Sequence, residues 1–276
     1  MIGYICKYTP IEIFEAMGVE TRQLTGIYNK SLSNAMCIHT KAILKNILST
    51  NYEGIILTTC CKSHIELYSL LKTHFPDKYI YLLDIPKKLN NSTNSLFKNQ
   101  LLSMVKSYEN FSGKVFNENI FKSNLNVYKP KPYYKPINIG IIGDKCSQGL
   151  INTLDDTHIN ILFDFTCRVT KRDLKVYANN ILLDYTYKLL SLFPCNYMED
   201  AKNRKYYIDK YKYYLSGILY TAVKSCDNTS YDYNELKETL NIPILRLEID
   251  YSKTCEKEIE TKLQAFINAF KFSEVF

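Results

Sequence analysis

The nine cysteines are the residues of this 276-residue sequence best equipped for chemistry. Their odd number, with no recognisable export signal ahead of them, argues against a disulfide framework and for thiols kept reduced to bind metal or react. Six fall where a thiolate is favoured. Cys60 and Cys61 follow the apolar run Gly54 to Thr59, Cys167 follows the run ending Asp164-Phe165-Thr166, and Cys226 lies just past the run ending at Val223. Cys37 sits where Ser33-Asn34 could cap a helix through Lys41, and Cys195 follows Pro194 ahead of a helix expected near Glu199. A helix N-terminus lowers a thiol pKa and favours the form that binds metal. Taken singly, each cysteine is as well explained as a small buried hydrophobe; six at element ends are not. Cys6, Cys146 and Cys255 lack this placement and are assigned to packing or surface. Zinc is the competing metal, but the CxxC pairs of common zinc sites are absent, and a vicinal Cys60-Cys61 pair chelates one tetrahedral ion awkwardly. Such a pair suits two irons of a larger cluster better.

The elements that must present these thiols are legible as alternating patterns. Six runs rich in β-branched and aromatic residues read as strands: Gly54 to Thr59, Tyr79 to Ile85, Ile137 to Gly143, Ile159 to Phe165, Gly217 to Val223 and Ile242 to Ile249, with a weaker one near Gly18 to Thr25. Continuous apolar runs of this length fit parallel strands buried on both faces. Helical spacing is expected in Lys41 to Leu48, His64 to His74, Leu174 to Leu192, Ala201 to Leu215 and Glu256 to Phe270. Strand alternating with helix implies open parallel sheets with right-handed crossovers, in which ligands gather beyond the carboxyl ends of the strands. The proline-rich stretch Tyr128 to Pro136 reads as an extended connector. The expectation is therefore an α/β protein of two Rossmann-like, flavodoxin-like domains, residues 1–134 and 135–276, with the thiol site between them.

Composition narrows the class. With 46% hydrophobic and 23% charged residues the chain is globular rather than disordered or collagen-like. No apolar run approaches the roughly 18 residues of a membrane span, and a soluble, cytoplasmic protein is expected. The net charge of +7 is carried mostly by lysine in a sequence also rich in Asn, Ile and Tyr, a bias that fits an AT-rich source, so the charge says little about partners. The stretch Lys202 to Tyr214 mixes cations and tyrosines in a pattern able to contact nucleic acid. It reads equally well as an amphipathic helix with its lysines in water or as a face for an acidic partner. His39 and His64 lie near cluster cysteines and Asp227 beside Cys226, and all three are as readily explained by packing, exposure or capping as by proton transfer. No GxxxxGK[ST] phosphate loop is present.

Beside this reading stands a resemblance. Tyr8-Thr9-Pro10-Ile11-Glu12-Ile13 with Ala16-Met17-Gly18-Val19, then Met36-Cys37-Ile38-His39, Thr59-Cys60-Cys61-Lys62-Ser63 with Leu67-Tyr68, and Ile85-Pro86 carry it through the first half. Asp164-Phe165-Thr166-Cys167, Pro194-Cys195, Met198-Glu199-Asp200 with Asn203-Arg204, and Lys224-Ser225-Cys226-Asp227 continue it, followed by Ile242-Pro243, Leu247 to Ser252 and Thr261 to Phe266. In order and spacing these resemble the 2-hydroxyacyl-CoA dehydratase and benzoyl-CoA reductase superfamily of iron-sulfur proteins. The resemblance implies one 4Fe-4S cluster on Cys37, Cys61 and Cys226 in dehydratase-like members. In the double-cubane branch it implies an 8Fe-9S cluster that also engages Cys60, Cys167 and Cys195, and the cysteine count favours this branch. It further implies a separate ATP-hydrolysing iron-sulfur activator as electron donor, reduction of a small molecule, and a homodimer, with neither membrane nor nucleic acid as partner. A dehydratase-type subunit acting on an acyl-CoA and a non-catalytic carrier or cluster scaffold are the alternatives. Longer members insert a helical segment where only about fifty residues separate Pro86 from Ile137 here, so the resemblance does not extend to their acyl-CoA pocket.

Overall fold

The computed structural model describes residues 1–26, 37–125 with 36, 137–144, 150, 153–154, 159–168, 174–176, 180–195, 197–199 and 204–273. The connector at 128–136, Cys146 and the Ser33-Asn34 cap lie outside these residues. Among the described residues eight strands form two sheets. The first holds β1 (Ile2–Tyr4), β2 (Thr21–Gln23), β3 (Gly54–Thr58) and β4 (Tyr79–Leu83) in the order β2-β1-β3-β4, and the second holds β5 (Ile137–Gly143), β6 (Ile159–Asp164), β7 (Gly217–Val223) and β8 (Ile244–Ile249) in the order β6-β5-β7-β8. Every pairing is parallel. The fold is thus α/β with two open parallel sheets, as the alternating pattern implies, and both sheets share one strand order. In each, the order reverses at the first and third strands, the switch point where open sheets leave a crevice.

Two compact units result. Unit 1 comprises Met1–Thr25, Ile43–Pro130 and Val169–Glu199, and unit 2 comprises Gly26–Ala42, Lys131–Arg168 and Asp200–Phe276. Unit 1 includes α1 (Ile11–Ala16), α3 (Lys62–His74), α4 (Asn91–Ser112), α5 (Glu118–Asn124) and α6 (Ile181–Leu190). Its core is built on Ile2, Ile55, Ile56, Leu57 and Leu83 from the sheet with Phe14, Phe97, Leu101, Met104 and Tyr108 from the helices. Helix α4 is not among the helices expected from the sequence. It forms because Asn90 and Thr93 close a capping box at its start and Phe97, Leu101, Met104, Val105 and Tyr108 bury one stripe. The segment carrying α6 joins this unit through Asn94, whose side-chain amide donates to the Leu183 carbonyl at 3.0 Å, and Tyr185, whose hydroxyl donates to Glu12 at 2.7 Å.

Unit 2 includes α7 (Arg204–Asp209), a 3-10 turn at Lys212–Tyr214, α8 (Asp227–Thr239) and α9 (Lys253–Ser273). Its core gathers Ile137, Ile139, Ile141, Leu219, Leu247 and Ile249 with Ile259, Leu263 and Ile267. Helix α2 (Ile38–Ser49) begins in unit 2 and ends in unit 1. The expected single helix over Ala201 to Leu215 is divided: α7 ends at Asp209, Tyr211 packs on buried Phe163 with ring centroids 5.0 Å apart, and Tyr213 in the 3-10 turn is 93% exposed. At the switch point Gly143 adopts φ +105, closed to other residues, which lets Asp144 turn onto β7 and accept from Val223 N–H at 3.1 Å.

Candidate thiol site at the strand ends

None of the eight described cysteines is in a disulfide. Unit 1 holds Cys6, Cys60, Cys61 and Cys195; unit 2 holds Cys37, Cys167, Cys226 and Cys255. The six expected site cysteines therefore divide three and three.

In unit 1 the register of β1 on β3 pairs Tyr4 with Ile56, which carries Cys6 and Cys60 to the carboxyl ends of adjacent strands at the switch point. The Cys60 sulfur lies 3.1 Å from the hydroxyl of fully buried Thr58 and 3.7 Å from His64 Nδ1, one turn into α3. A hydrogen bond from Cys60 holds Cys6 down to about 7 although burial pushes it up, with Thr58 and the charge of Lys7 helping. The same bond, and burial, push Cys60 well above the usual thiol range, and the charge of Cys195 adds to the rise. Lys7 is itself buried, its ammonium 5.5 Å from the Tyr8 ring and 5.6 Å from the Phe193 ring. Cys195 is positioned by Tyr8, whose hydroxyl donates to the Phe193 carbonyl at 3.2 Å and accepts from the Cys195 amide at 3.4 Å. The turn before Cys60 is tied to the end of β4: the Thr59 hydroxyl donates to Asp84 at 2.5 Å and accepts from Ile85 N–H at 3.2 Å.

Three cysteines stand at helix starts. Cys61 is the N-cap of α3 and Cys226 the N-cap of α8, and neither spends its sulfur on a side-chain cap hydrogen bond. Cys37 precedes α2, its carbonyl accepting from Lys41 N–H at 3.1 Å and its sulfur from Thr40 N–H at 3.4 Å. The sulfur thus replaces the usual oxygen cap. The thiol of Cys37 is exposed. His39, two residues on, packs tilted against Tyr251 with ring centroids 5.4 Å apart, and Tyr251 takes φ 59 just beyond β8. Cys37 is thereby tied to the strand-end rim of the second sheet, where Cys226 follows Ser225 at φ 63 beyond β7. Left-handed backbone at two non-glycine residues on one rim is a conformation the surroundings must enforce.

Cys167 is carried on a knotted turn. Thr166 donates through its amide and hydroxyl to Asp164 at 3.1 and 2.7 Å, and Arg168 Nε meets the other carboxylate oxygen at 2.8 Å. Cys255, assigned to packing, is buried in the core of unit 2 and donates to the Glu248 carbonyl at 3.1 Å. Cys6, assigned with it, is likewise buried, just beyond β1, a strand of three residues that is too short to show a pattern in the sequence. The side chain of Asp227 lies outside the described residues. Among the described residues no three Cys, His, Asp or Glu side chains stand close enough to hold a single ion. Thiolates on separate irons of a cluster are spaced more widely than the about 3.8 Å between sulfurs on one tetrahedral zinc.

Two open parallel sheets, with cysteines beyond strand ends in each unit, define a two-unit α/β protein. The chain belongs to the 2-hydroxyglutaryl-CoA dehydratase D-component family, whose model matches residues 6–132 and again 128–270. This places it in the 2-hydroxyacyl-CoA dehydratase superfamily, as its motifs suggest. No curated protein matches the chain at significant similarity. Among the described residues no helix is long and apolar enough to cross a membrane.

Proposed function

We propose that this chain is the cluster-bearing component of a 2-hydroxyacyl-CoA dehydratase-type two-component system. In this reading it takes low-potential electrons from an ATP-hydrolysing activator and delivers them to a small molecule, and it works as a homodimer. Family membership supports the dehydratase component and the activator partner. The observation that carries the reading is the thiol placement: Cys37, Cys61 and Cys226 at helix starts, with Cys60, Cys167 and Cys195 at neighbouring strand ends and turns. The donor set fits an iron-sulfur group, since it offers soft thiolates, helix N-termini and the buried ammonium of Lys7 to an anionic core. The six cysteines would hold a double-cubane 8Fe-9S cluster, which supplies low-potential electron storage when bound. The chain's own residues orient the sulfurs: Thr58 and His64 at Cys60, Tyr8 at Cys195, Asp164 and Arg168 around Cys167.

A single 4Fe-4S cluster is the second reading, favoured by one observation: among the described residues Cys37, Cys61 and Cys226 stand at helix starts. Substitution separates the two. In anaerobically isolated protein, Cys167→Ser and Cys195→Ser should each lower bound iron from about eight to about four per chain under the first reading and leave it unchanged under the second. Loss of all iron from Cys61→Ser is expected under both.

A further inference from the structure

Unit 1 contains a cavity of about 500 Å³ between α4, α5 and the start of α6, a size that suits a small organic ligand. Its walls are mostly apolar: Leu102 on α4, Phe116 ahead of α5, Phe121 on α5, and Ile181 and Leu182 in the first turn of α6. These walls are held in place by their neighbours. Phe116 packs edge-on against Phe121 with centroids 5.4 Å apart, and Phe121 against buried Tyr185 at 4.9 Å, while the Asn94 amide ties α4 to the Leu183 carbonyl of α6. Three polar side chains complete the lining, and two are engaged. Asn180 caps α6 by accepting from Leu183 N–H at 3.2 Å, and Glu118 pairs with Lys122 at 3.4 Å. The third, half-buried Lys98, makes no hydrogen bond or ion pair among the described residues. With Glu118 offset by Lys122, the unmatched charge on the wall is positive. Ile181 and Leu182 add the first backbone N–H groups of α6, which have no acceptor within the helix.

We propose that this cavity binds a small aliphatic monocarboxylate, its hydrocarbon body against Leu102, Phe116, Phe121 and Leu182 and its carboxylate on Lys98. The apolar wall removes the hydrocarbon from water, and the ammonium of Lys98 supplies a charge-assisted hydrogen bond that fixes its orientation. A neutral hydrocarbon leaves Lys98 without a counter-charge, and a cationic amphiphile brings like charge against it. A strongly hydrated anion gains nothing from the phenylalanine wall. No described cysteine lines the cavity, so the inference stands apart from the iron-sulfur reading.

The test is calorimetric titration of the whole chain, isolated anaerobically, with octanoate, and with octylammonium as the charge-reversed probe. Wild type is compared with Lys98→Met, Lys106→Met and Leu102→Asp, and the melting temperature of each is measured. Saturable binding of about one octanoate per chain is expected, with octylammonium about tenfold weaker or worse. Lys98→Met should weaken octanoate about tenfold, the loss of one hydrogen bond to a charged group. Lys106→Met removes an exposed lysine from the same helix but outside the cavity, and should bind octanoate as wild type does. Leu102→Asp sets a like charge against the carboxylate at a position 41% exposed, where folding tolerates it, and should weaken octanoate as well. Should Lys98→Met fail to fold, Leu102→Asp decides. Absence of saturable octanoate binding, equal affinity for octylammonium, or wild-type affinity in folded Lys98→Met overturns the inference.

Discussion

At the scale of single residues, the Cys6 and Cys60 pair makes a prediction independent of any bound group. In the reduced, metal-free chain Cys6 titrates near 7 and Cys60 well above 9.0. Between about pH 7 and 9 the folded chain has released a proton that the unfolded chain still holds, so stability rises with pH there and is lost as pH falls through about 7. Above 9 the unfolded chain ionises both thiols and the folded chain only one, so stability declines again. Urea unfolding at pH 6, 8.5 and 10 should show this rise and fall, and Cys60→Ala should remove the rise by removing the bond that lowers Cys6. A second residue-scale prediction concerns unit 2. Arg204 and Asp232 form a buried ion pair, and Tyr220 donates to the same carboxylate at 2.6 Å. Asp232→Ala leaves the guanidinium buried without its counter-charge and should cost about 3 to 5 kcal/mol in the same assay. The cysteines at Cys37, Cys61 and Cys226 were legible from sequence because each follows a strand or loop and opens a helical pattern. The place of Lys7 near the end of β3 was not, because it depends on which strand stands next to β1, and pairing is not written in local residue types.

At the scale of elements, the long apolar runs declared themselves. β3, β5 and β7 are buried along almost their whole length, and such strands need no alternation to be seen. β1 and β2, three residues each, carry too few side chains for any period. Helix α4 shows the converse failure: its polar composition masked an apolar stripe that its own capping box announces. Asn90→Ala should therefore destabilise the metal-free chain by about 1 kcal/mol, read by urea unfolding, since the cap oxygen on Thr93 N–H is lost. The stretch after Arg204 was read as one long helix because lysine and tyrosine alternate plausibly. Packing decided otherwise: α7 stops at Asp209, and Tyr211 packs on Phe163 from outside the helix.

At the scale of the whole molecule, the two sheets repeat one strand order, and the family model matches once over each half. A repeated sheet repeats its crevice, and each unit carries three of the six cysteines assigned to the cluster. The α/β class and the number of sheets followed from sequence alone. The exchange of segments, with residues 26–42 packing in unit 2 and 169–199 in unit 1, did not, because it depends on tertiary packing rather than on local pattern. Native mass spectrometry of the anaerobically purified chain tests the central claim most directly, because it weighs the inorganic core with the protein. A mass above that of the polypeptide by eight irons and nine sulfides is the predicted result. A peak at the bare polypeptide mass, or one raised by a single metal ion, would contradict it.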